Sequence, residues 1–375
     1  MPSPRRNAEA GEPFVVGRHE SLPWASCSCS RHGVNKSPAG HVGGRHELSR
    51  RTFLRLAAGV AALPAVSRVA SAQAYPTRPV TIVVPFAAGG TTDVSARIVA
   101  EYMSRTLGQQ FIIENVAGAG GTTGSARAMR SVADGYTIMM GQVGTHAFSV
   151  ALYPNLAYRP DVDFAPIGLA LENSVVIVAR KDFPPKDLKN FAAYVRANGD
   201  KLNVAHAGVG SITYTSELYL NSLLGVKPTM VPFNGSAPAA NALIAGQVDY
   251  MCVGITEIGQ QVQAGTGKAY GISGARRHPV LPDVPSTEEA GMPEFQVTGW
   301  FALFAPKGVP QDVLDRLSDT LDRALDDDNV RRRMRDIGDD DLPKGKRGQQ
   351  PLGALVKSEI ARWMPIIKAA TVRSE

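Results

Sequence analysis

The sequence predicts an α/β protein of two lobes, in which one α/β lobe is interrupted by another. Short apolar strands alternate with helical patterns, and glycine loops follow successive strands. A longer apolar stretch, at 297–305, has the length of a strand that crosses back between the lobes. About 300 residues follow an N-terminal leader, which is enough for two cores. We expect residues 75–175 and 297–375 to form the first lobe and residues 176–296 the second.

The leader divides into two parts. Residues 1–48 are rich in Gly, Ser, Arg and His without apolar periodicity, so we expect them to be disordered, or not to be translated at all. In residues 49–74, Arg50-Arg51 precedes a mild apolar run and small-x-small cleavage sites, which resembles a twin-arginine export signal. The run is shorter than the roughly 20 residues of a membrane span. We therefore expect an exported protein of the periplasm.

Charge and cysteine content narrow the class of function. Residues 1–74 hold 10 of the 40 Lys and Arg and 4 of the 34 Asp and Glu, so the remainder carries 30 of each. The basicity belongs to the leader, and we expect no nucleic-acid partner. Cys27 and Cys29 lack the second pair that a metal site would need, and only Cys252 follows the leader. No metal, cofactor or internal disulfide is expected.

The stretch 81–97 predicts a strand (81–84), a glycine loop (85–92) and a helix with Asp93 as N-cap and Gly108 as its stop. Free backbone N–H groups and the positive end of a helix dipole suit an anion. The loop contains no Lys or Arg, so amides and hydroxyls would hold that charge, and it lacks the Gly-Lys-Ser/Thr ending of a P-loop. Such turns also recur in α/β proteins without binding anything.

The same unit recurs along the chain. A strand at 111–113 leads into the glycine loop 115–124, and a strand at 136–140 leads into 141–146. The glycines at 118, 120 and 124 nearly match a dinucleotide fingerprint, but the third is one residue late and no acidic residue follows the next strand to hold a ribose. Because ligands collect at the carboxyl ends of parallel strands, we expect three glycine loops to meet at one rim.

The rest of the chain continues the pattern. Strands are predicted at 175–178, 202–205, 229–231, 247–253 and 297–305, and helices at 188–199, 213–224, 239–245, from Pro310, and at 352–370. The acidic run 326–328 followed by the basic run 331–333 indicates a solvated helix boundary. One lobe interrupted by another, joined by two crossing strands, describes a hinged receptor that closes around its ligand.

Six segments match one family in order and spacing: Tyr75–Asp93, Glu114-Asn115 with Gly118–Gly121, Asp134–Thr137, Val231–Pro238, Gly246–Asp249 and Leu281–Gly291. They resemble the substrate-binding proteins of tripartite tricarboxylate transporters, the Bug family, over nearly all of the chain after the leader. The resemblance implies a type II periplasmic-binding-protein fold, with two lobes joined by a hinge of two crossing strands. It also implies a monomer without cofactor that delivers a small carboxylate to membrane permease subunits.

Carried over by position, the resemblance implies a binding site made by both lobes. The first wall comprises Phe86, Ala88, Gly89, Gly90, Thr91 and Thr92. Two further residues of the first lobe, Thr145 and His146, follow the third strand. On the second lobe, His206, Gly208 and Ser211 face them. Val253 stands where the family commonly carries an aspartate, and valine cannot accept a hydrogen bond. We therefore predict a ligand without a charged amine. A protonated His206 could pair with a second carboxylate, or be an ordinary loop histidine.

Two other classes of function stay open. An enzyme is disfavoured after the leader by the lack of a Gly-x-Ser-x-Gly elbow, a His-Glu-x-x-His motif and a Cys/His cluster. A sensory receptor with the same binding fold, serving a signalling system instead of a permease, cannot be separated from a transport receptor by sequence. The particular carboxylate depends on the shape of the pocket.

Overall fold

The structure, a computed structural model, describes residues 75–374, and the predictions for 1–48 and 49–74 lie outside these residues. The described strands are β1 (Val80–Val84), β2 (Phe111–Asn115), β3 (Thr137–Gln142), β4 (Phe164–Arg180), β5 (Asn203–His206), β6 (Thr229–Pro232), β7 (Tyr250–Gly254), β8 (Gly267–Ile272), β9 (Thr298–Pro306) and β10 (Asp339–Asp340). The described helices are α1 (Thr91–Leu107), α2 (Thr122–Met129), α3 (Ser149–Leu152), α4 (Leu188–Asn198), α5 (Ile212–Leu224), α6 (Ser236–Ile244), α7 (Ile255–Gln263), α8 (Gln311–Asp326), α9 (Asp328–Asp336) and α10 (Gln349–Ser374).

The strands form one curled sheet in two halves. Its main order is β2-β1-β3-β9-β4-β7-β5-β6, and β8 and β10 pair with β4. β1, β2 and β3 are parallel to one another, as are β5, β6 and β7, whereas β4 and β9 are antiparallel to their neighbours. We call the half around β1–β3 and β9 the first lobe and the half around β5–β8 the second lobe.

The long strand β4 joins the two lobes. Its residues 164–174 pair with β9 in the first lobe, and its residues 175–179 pair with β7 in the second. This arrangement agrees with the predicted two-lobe α/β fold. A strand that is covered on both faces needs apolar side chains on both faces. Most of β4 is buried, including Val175, Ile177 and Val178.

The first helix begins two residues before its predicted position. The sequence predicts Asp93 as N-cap, but α1 starts at Thr91 after Gly90, and Asp93 lies in the first helical turn. The Asp93 carboxylate accepts a hydrogen bond from the Gly89 N–H at 3.0 Å, so a residue of the first helical turn stabilises the preceding loop. Gly108 ends the helix in the left-handed conformation (φ 71°), which confirms the predicted stop.

Two apolar cores support the sheet. The larger extends through the first lobe and along β4 into the second lobe, where it includes Phe191 and Tyr250, and it contains the fully buried Trp300 and Trp363. The smaller lies in the second lobe around Val176, Leu243 and Ile258. The apolar face of α8 is buried as predicted, at Val313, Leu314, Leu317, Leu321 and Leu325. The predicted solvated boundary is also present, because α8 ends at Asp326 and α9 begins at Asp328.

Two elements of the second lobe are absent from the sequence prediction, the helix α7 and the strand β8. Both follow β7 directly, and α7 contributes to the cleft described below. No helix within residues 75–374 has the length and apolar character needed to cross a membrane.

Candidate functional site

Residues at the carboxyl ends of five strands from both lobes enclose one small cavity. It measures about 20 Å³, which is room for one or two ordered waters. Its lining residues are Phe86, Thr91, Thr92, Gln142, Asn173, Ala207, Ser211, Ile212, Thr213, Ser236, Gly254, Glu257 and Phe301. Hydroxyl and amide side chains predominate, and the two phenylalanine rings supply apolar walls. The first and third predicted loops therefore meet at this cavity between the lobes, through Phe86, Thr91, Thr92 and Gln142, whereas no residue of the predicted loop 115–124 lines it.

The first glycine loop contributes only part of its predicted wall to this cavity. Phe86, Thr91 and Thr92 line it, whereas Ala88 and Gly89 are exposed. Gly90 backs onto the second lobe so closely that a β-carbon there would lie 2.6 Å from the Ser236 hydroxyl. A larger residue at position 90 would displace the Ser236 hydroxyl, which lines the cavity.

Asp93 fixes the shape of this loop from behind. Its carboxylate accepts hydrogen bonds from the Gly89 N–H, from Arg97 at 2.9 Å and from the Asn115 amide at 2.9 Å. Burial alone would raise the pKa of Asp93, but these hydrogen bonds outweigh it and lower the pKa below its usual value. Asp93 is therefore ionised and structural, and its charge is satisfied inside the first lobe.

Thr145 and His146 lie beneath the cavity and do not line it. The Thr145 hydroxyl bonds to Gln142 and to His146 Nδ1, at 3.0 and 2.9 Å. The His146 ring is completely buried, stacks on Phe304 with 3.8 Å between ring centroids, and has no hydrogen-bond partner at Nε2. Burial lowers its pKa to about 3. His146 is thus a neutral core residue next to the third strand end.

The loop after β5 brings His206, Gly208 and Ser211 to the second lobe's side of the cleft. His206 accepts a hydrogen bond at Nδ1 from the Gly208 N–H at 3.1 Å, and burial lowers its pKa to about 4. An imidazole that accepts at Nδ1 is neutral, so a protonated His206 paired with a ligand carboxylate is not favoured. The Ser211 hydroxyl lines the cavity and caps α5 by accepting from the Tyr214 N–H.

Val253 points away from the cleft. Its side chain is fully buried in the smaller core, in register with Val176 of β4. The strand alternation that buries Val253 brings the next residue, Gly254, to the cavity wall. A β-carbon at Gly254 would lie 2.8 Å from Glu257 and 2.9 Å from Asn173, so this glycine leaves room for polar groups.

Five polar residues of the cavity are absent from the predicted site: Gln142, Asn173, Thr213, Ser236 and Glu257. Asn173 comes from β4 and is almost fully buried, and its Oδ1 has no hydrogen-bond partner. An unpartnered buried acceptor is costly unless a ligand or water satisfies it. Asn173 is therefore well placed to accept a hydrogen bond from a molecule in the cleft.

Glu257 links the second lobe to the start of α1. Its Oε1 accepts from the Thr91 N–H at 2.8 Å and from the Ser236 hydroxyl at 2.5 Å, and its Oε2 accepts from the Thr91 hydroxyl at 2.8 Å. These are the donors that a glycine loop and helix N-terminus offer to an anion. Among residues 75–374, Glu257 is also the only charged residue that lines the cavity.

Further contacts hold the lobes together around the cavity. The Ala87 N–H donates to the Asn234 carbonyl at 3.1 Å, and the Tyr153 hydroxyl lies 2.6 Å from the Val209 carbonyl oxygen. Gly120 approaches Val209 so closely that a β-carbon at Gly120 would lie 1.6 Å from that oxygen. The cleft is closed, so a ligand larger than water can enter only if the lobes separate.

Two further features of the described residues concern metal and thiol chemistry. Within residues 75–374, no group of three or more His, Cys, Asp or Glu side chains could hold a metal ion. Cys252 is free and buried, and burial raises the pKa of its thiol well above the usual value, so it stays protonated. The site has the chemistry of a binding cleft, with neutral donors, one carboxylate and apolar walls.

Residues 95–372 match the family described as tripartite tricarboxylate transporter family receptor. Three solved structures are similar over most of the chain. MatC from Rhodopseudomonas palustris with bound malate is 49% identical, with a TM-score of 0.76, and the match covers 78% of this chain and 100% of that chain. The periplasmic binding protein BugD is 41% identical, with a TM-score of 0.77 and coverage of 80% and 99%. A second R. palustris protein, with adipate, is 31% identical, with a TM-score of 0.75 and coverage of 79% and 98%.

Proposed function

This chain belongs to the tripartite tricarboxylate transporter receptor family, and we propose that it captures a small organic carboxylate in the cleft between its lobes. As a solute-binding receptor of this family it would act in the periplasm and pass its ligand to the permease subunits of a tripartite transporter. The ligand would be a di- or tricarboxylate or an aromatic acid, bound by a monomeric receptor.

One observation carries this proposal. The Thr91 N–H, the Thr91 hydroxyl and the Ser236 hydroxyl already hold a carboxylate, that of Glu257. Carboxylates bind well to convergent amide and hydroxyl donors once water is excluded, and charge-assisted hydrogen bonds are stronger than neutral ones. The positive end of the α1 dipole adds to this attraction. The donor set therefore suits a ligand carboxylate.

The predicted ligand residues divide into two roles within this proposal. Phe86, Thr91, Thr92 and Ser211 would contact the ligand directly, because they line the cavity, and Gly90 and Gly208 would allow the lobes to approach closely. Ala88 and Gly89 belong to the outer part of the loop. Thr145, His146, His206 and Val253 would support the wall from behind. Thr145 and His206 form hydrogen bonds within their own lobes, His146 stacks on Phe304, and Val253 packs in the smaller core.

A dicarboxylate is the ligand class that we favour. Malate and adipate are the molecules bound in two of the similar structures, and both are dicarboxylates. In this chain the first carboxylate would lie at Thr91 and Ser236. The other end would meet amide and hydroxyl groups, including the unpartnered acceptor Asn173 Oδ1, which suits a hydroxyl donor of the ligand.

We place the hinge at the strands between residues 174–176 and 296–298, with 75–175 and 297–375 as the first lobe and 176–296 as the second. The change of partner of β4 from β9 to β7 after Ser174 supports the first of these positions. Rotation at these strands would open the cleft.

A ligand panel tests the proposal. Binding at 100 times the dissociation constant would stabilise the protein by about 2.7 kcal/mol, which raises the melting temperature by at least about 2 °C at this size. We expect a selective shift with one class among mono-, di- and tricarboxylates, aromatic acids, amino acids and neutral analogues. Turnover of the bound acid would instead indicate an enzyme. A ligand-dependent contact with a sensor ectodomain, and none with permease subunits, would indicate a signalling receptor.

A further inference from the structure

Glu257 presents an electrostatic conflict in a cleft proposed for anions. It is the only charged residue of the cavity lining, and its charge is negative. No Lys, Arg or His within residues 75–374 forms an ion pair with it. Two carboxylates a few ångströms apart with no cation between them repel strongly where water is excluded. An ionised ligand carboxylate is therefore strongly disfavoured in this cavity while an ionised Glu257 remains where it is.

The hydrogen bonds lead to the same result. The Thr91 N–H, the Thr91 hydroxyl and the Ser236 hydroxyl each have a single hydrogen, and Glu257 accepts all three, at 2.8, 2.8 and 2.5 Å. A ligand carboxylate can use these donors only after Glu257 releases them. The donors belong to different lobes, because Thr91 begins α1 in the first lobe and Ser236 begins α6 in the second. Whichever carboxylate they hold closes the cleft.

We propose that Glu257 is an internal stand-in for the ligand carboxylate, which fastens the second lobe to the start of α1 in the ligand-free receptor and is displaced when ligand binds. This inference rests on the proposed function and identifies a residue that controls affinity and selectivity. The half-buried side chain has a path to solvent. After displacement it remains in the first turn of α7, where the helix dipole still favours its charge.

A ligand binds only if its hydrogen bonds to the donors at Thr91 and Ser236 are strong enough to displace the Glu257 carboxylate. A molecule that lacks a carboxylate offers the donors at Thr91 and Ser236 weaker hydrogen bonds than Glu257 does, so it leaves Glu257 in place. The stand-in thus selects anions even though the cavity lining contains no cation. It also reduces the affinity for every carboxylate by the fraction of receptors in which Glu257 occupies the donors.

The experiment compares wild type with Glu257→Gln and Glu257→Ala by calorimetry, with malate, adipate and the neutral diamide malamide as probes. Glu257→Gln keeps the shape and removes the charge, so one informative variant remains if alanine impairs folding. Glu288→Gln is the matched control, because it removes an exposed carboxylate of the same lobe outside the cavity. We expect both Glu257 variants to bind the preferred dicarboxylate at least about tenfold more tightly, and to lose part of the discrimination against malamide.

Small-angle scattering of the ligand-free proteins gives an independent readout. Glu257→Ala is expected to be more open than wild type and to close again with dicarboxylate, whereas Glu288→Gln resembles wild type in both states. Equal or weaker dicarboxylate binding by both Glu257 variants, with wild type binding normally, overturns this inference and leaves the proposed function intact. Lack of binding by all four proteins overturns the proposed function and this inference together.

Discussion

Substitution of Gly120 by alanine is expected to block closure of the cleft while leaving each lobe folded. A β-carbon at Gly120 would lie 1.6 Å from the Val209 carbonyl oxygen, whereas ordinary contacts of this kind begin at 3.4 Å. The lobes would have to separate here by about 2 Å, since both partners are backbone atoms that cannot turn aside. A movement of that size breaks the hydrogen bond from the Ala87 N–H to the Asn234 carbonyl, now 3.1 Å long.

The expected loss of affinity in Gly120→Ala follows from the ligand contacts that an open cleft cannot form. A ligand held by one lobe forfeits at least one charge-assisted hydrogen bond from the other, worth about 1.5–3 kcal/mol, so the dissociation constant should rise about 10- to 100-fold. Gly108→Ala is the matched control. Gly108 has the same left-handed backbone (φ 71° against 61° at Gly120), but a β-carbon there meets nothing within 4 Å. Both substitutions should cost about 1 kcal/mol of stability from backbone strain alone.

Calorimetry with the preferred dicarboxylate measures the effect on binding, and thermal melts measure the effect of backbone strain on stability. Similar melting temperatures for both variants, with weak binding only in Gly120→Ala, would support the closure argument. If Gly120→Ala binds as tightly as Gly108→Ala, the close approach of the lobes does not contribute to binding and the reasoning is refuted.

Three further predictions concern single residues. Tyr153→Phe removes a hydrogen bond between the lobes and should weaken ligand binding about 2- to 10-fold by calorimetry with little change in melting temperature; a larger loss of stability than of affinity would contradict this role. Val253→Asp buries an unpaired carboxylate in the smaller core and should cost at least about 3 kcal/mol in urea unfolding, against about 0.5 kcal/mol or less for Val132→Asp at an exposed position. Burial raises the pKa of Glu217, so its neutral form contributes stability below the ordinary carboxyl pKa that is lost as pH rises. Glu217→Gln should therefore melt above wild type at pH 8 and show a smaller difference at pH 5, and an equal difference at both pH values would exclude this linkage.

The sequence is sufficient for the fold class and for part of one wall of the site. The apolar period of α1, the stop at Gly108 and the alternation of strands with helices are local signals, and the structure confirms them. Thr91 and Thr92 line the cavity as the glycine-loop argument suggests, and Ser211 lines it as the family resemblance implies. These successes share one cause, because each depends on residues that are near one another in sequence.

The other wall depends on contacts that no local pattern encodes. Glu257 bonds to Thr91, which is 166 residues away in the sequence, and it lies on α7, a helix absent from the sequence prediction. Period-two alternation in β7 was the available signal for Val253, since it places Met251 and Val253 on one face and Gly254 on the other. His146 follows a buried strand and is surrounded by aromatic rings from later segments, so its neutral core role needs the tertiary structure.

A crystal structure with the dicarboxylate selected by the ligand panel tests the central claim most directly. The account predicts one ligand carboxylate within about 3 Å of the Thr91 N–H, the Thr91 hydroxyl and the Ser236 hydroxyl, in a cleft closed by both lobes. A ligand bound elsewhere, with Glu257 still holding those three donors, would contradict it.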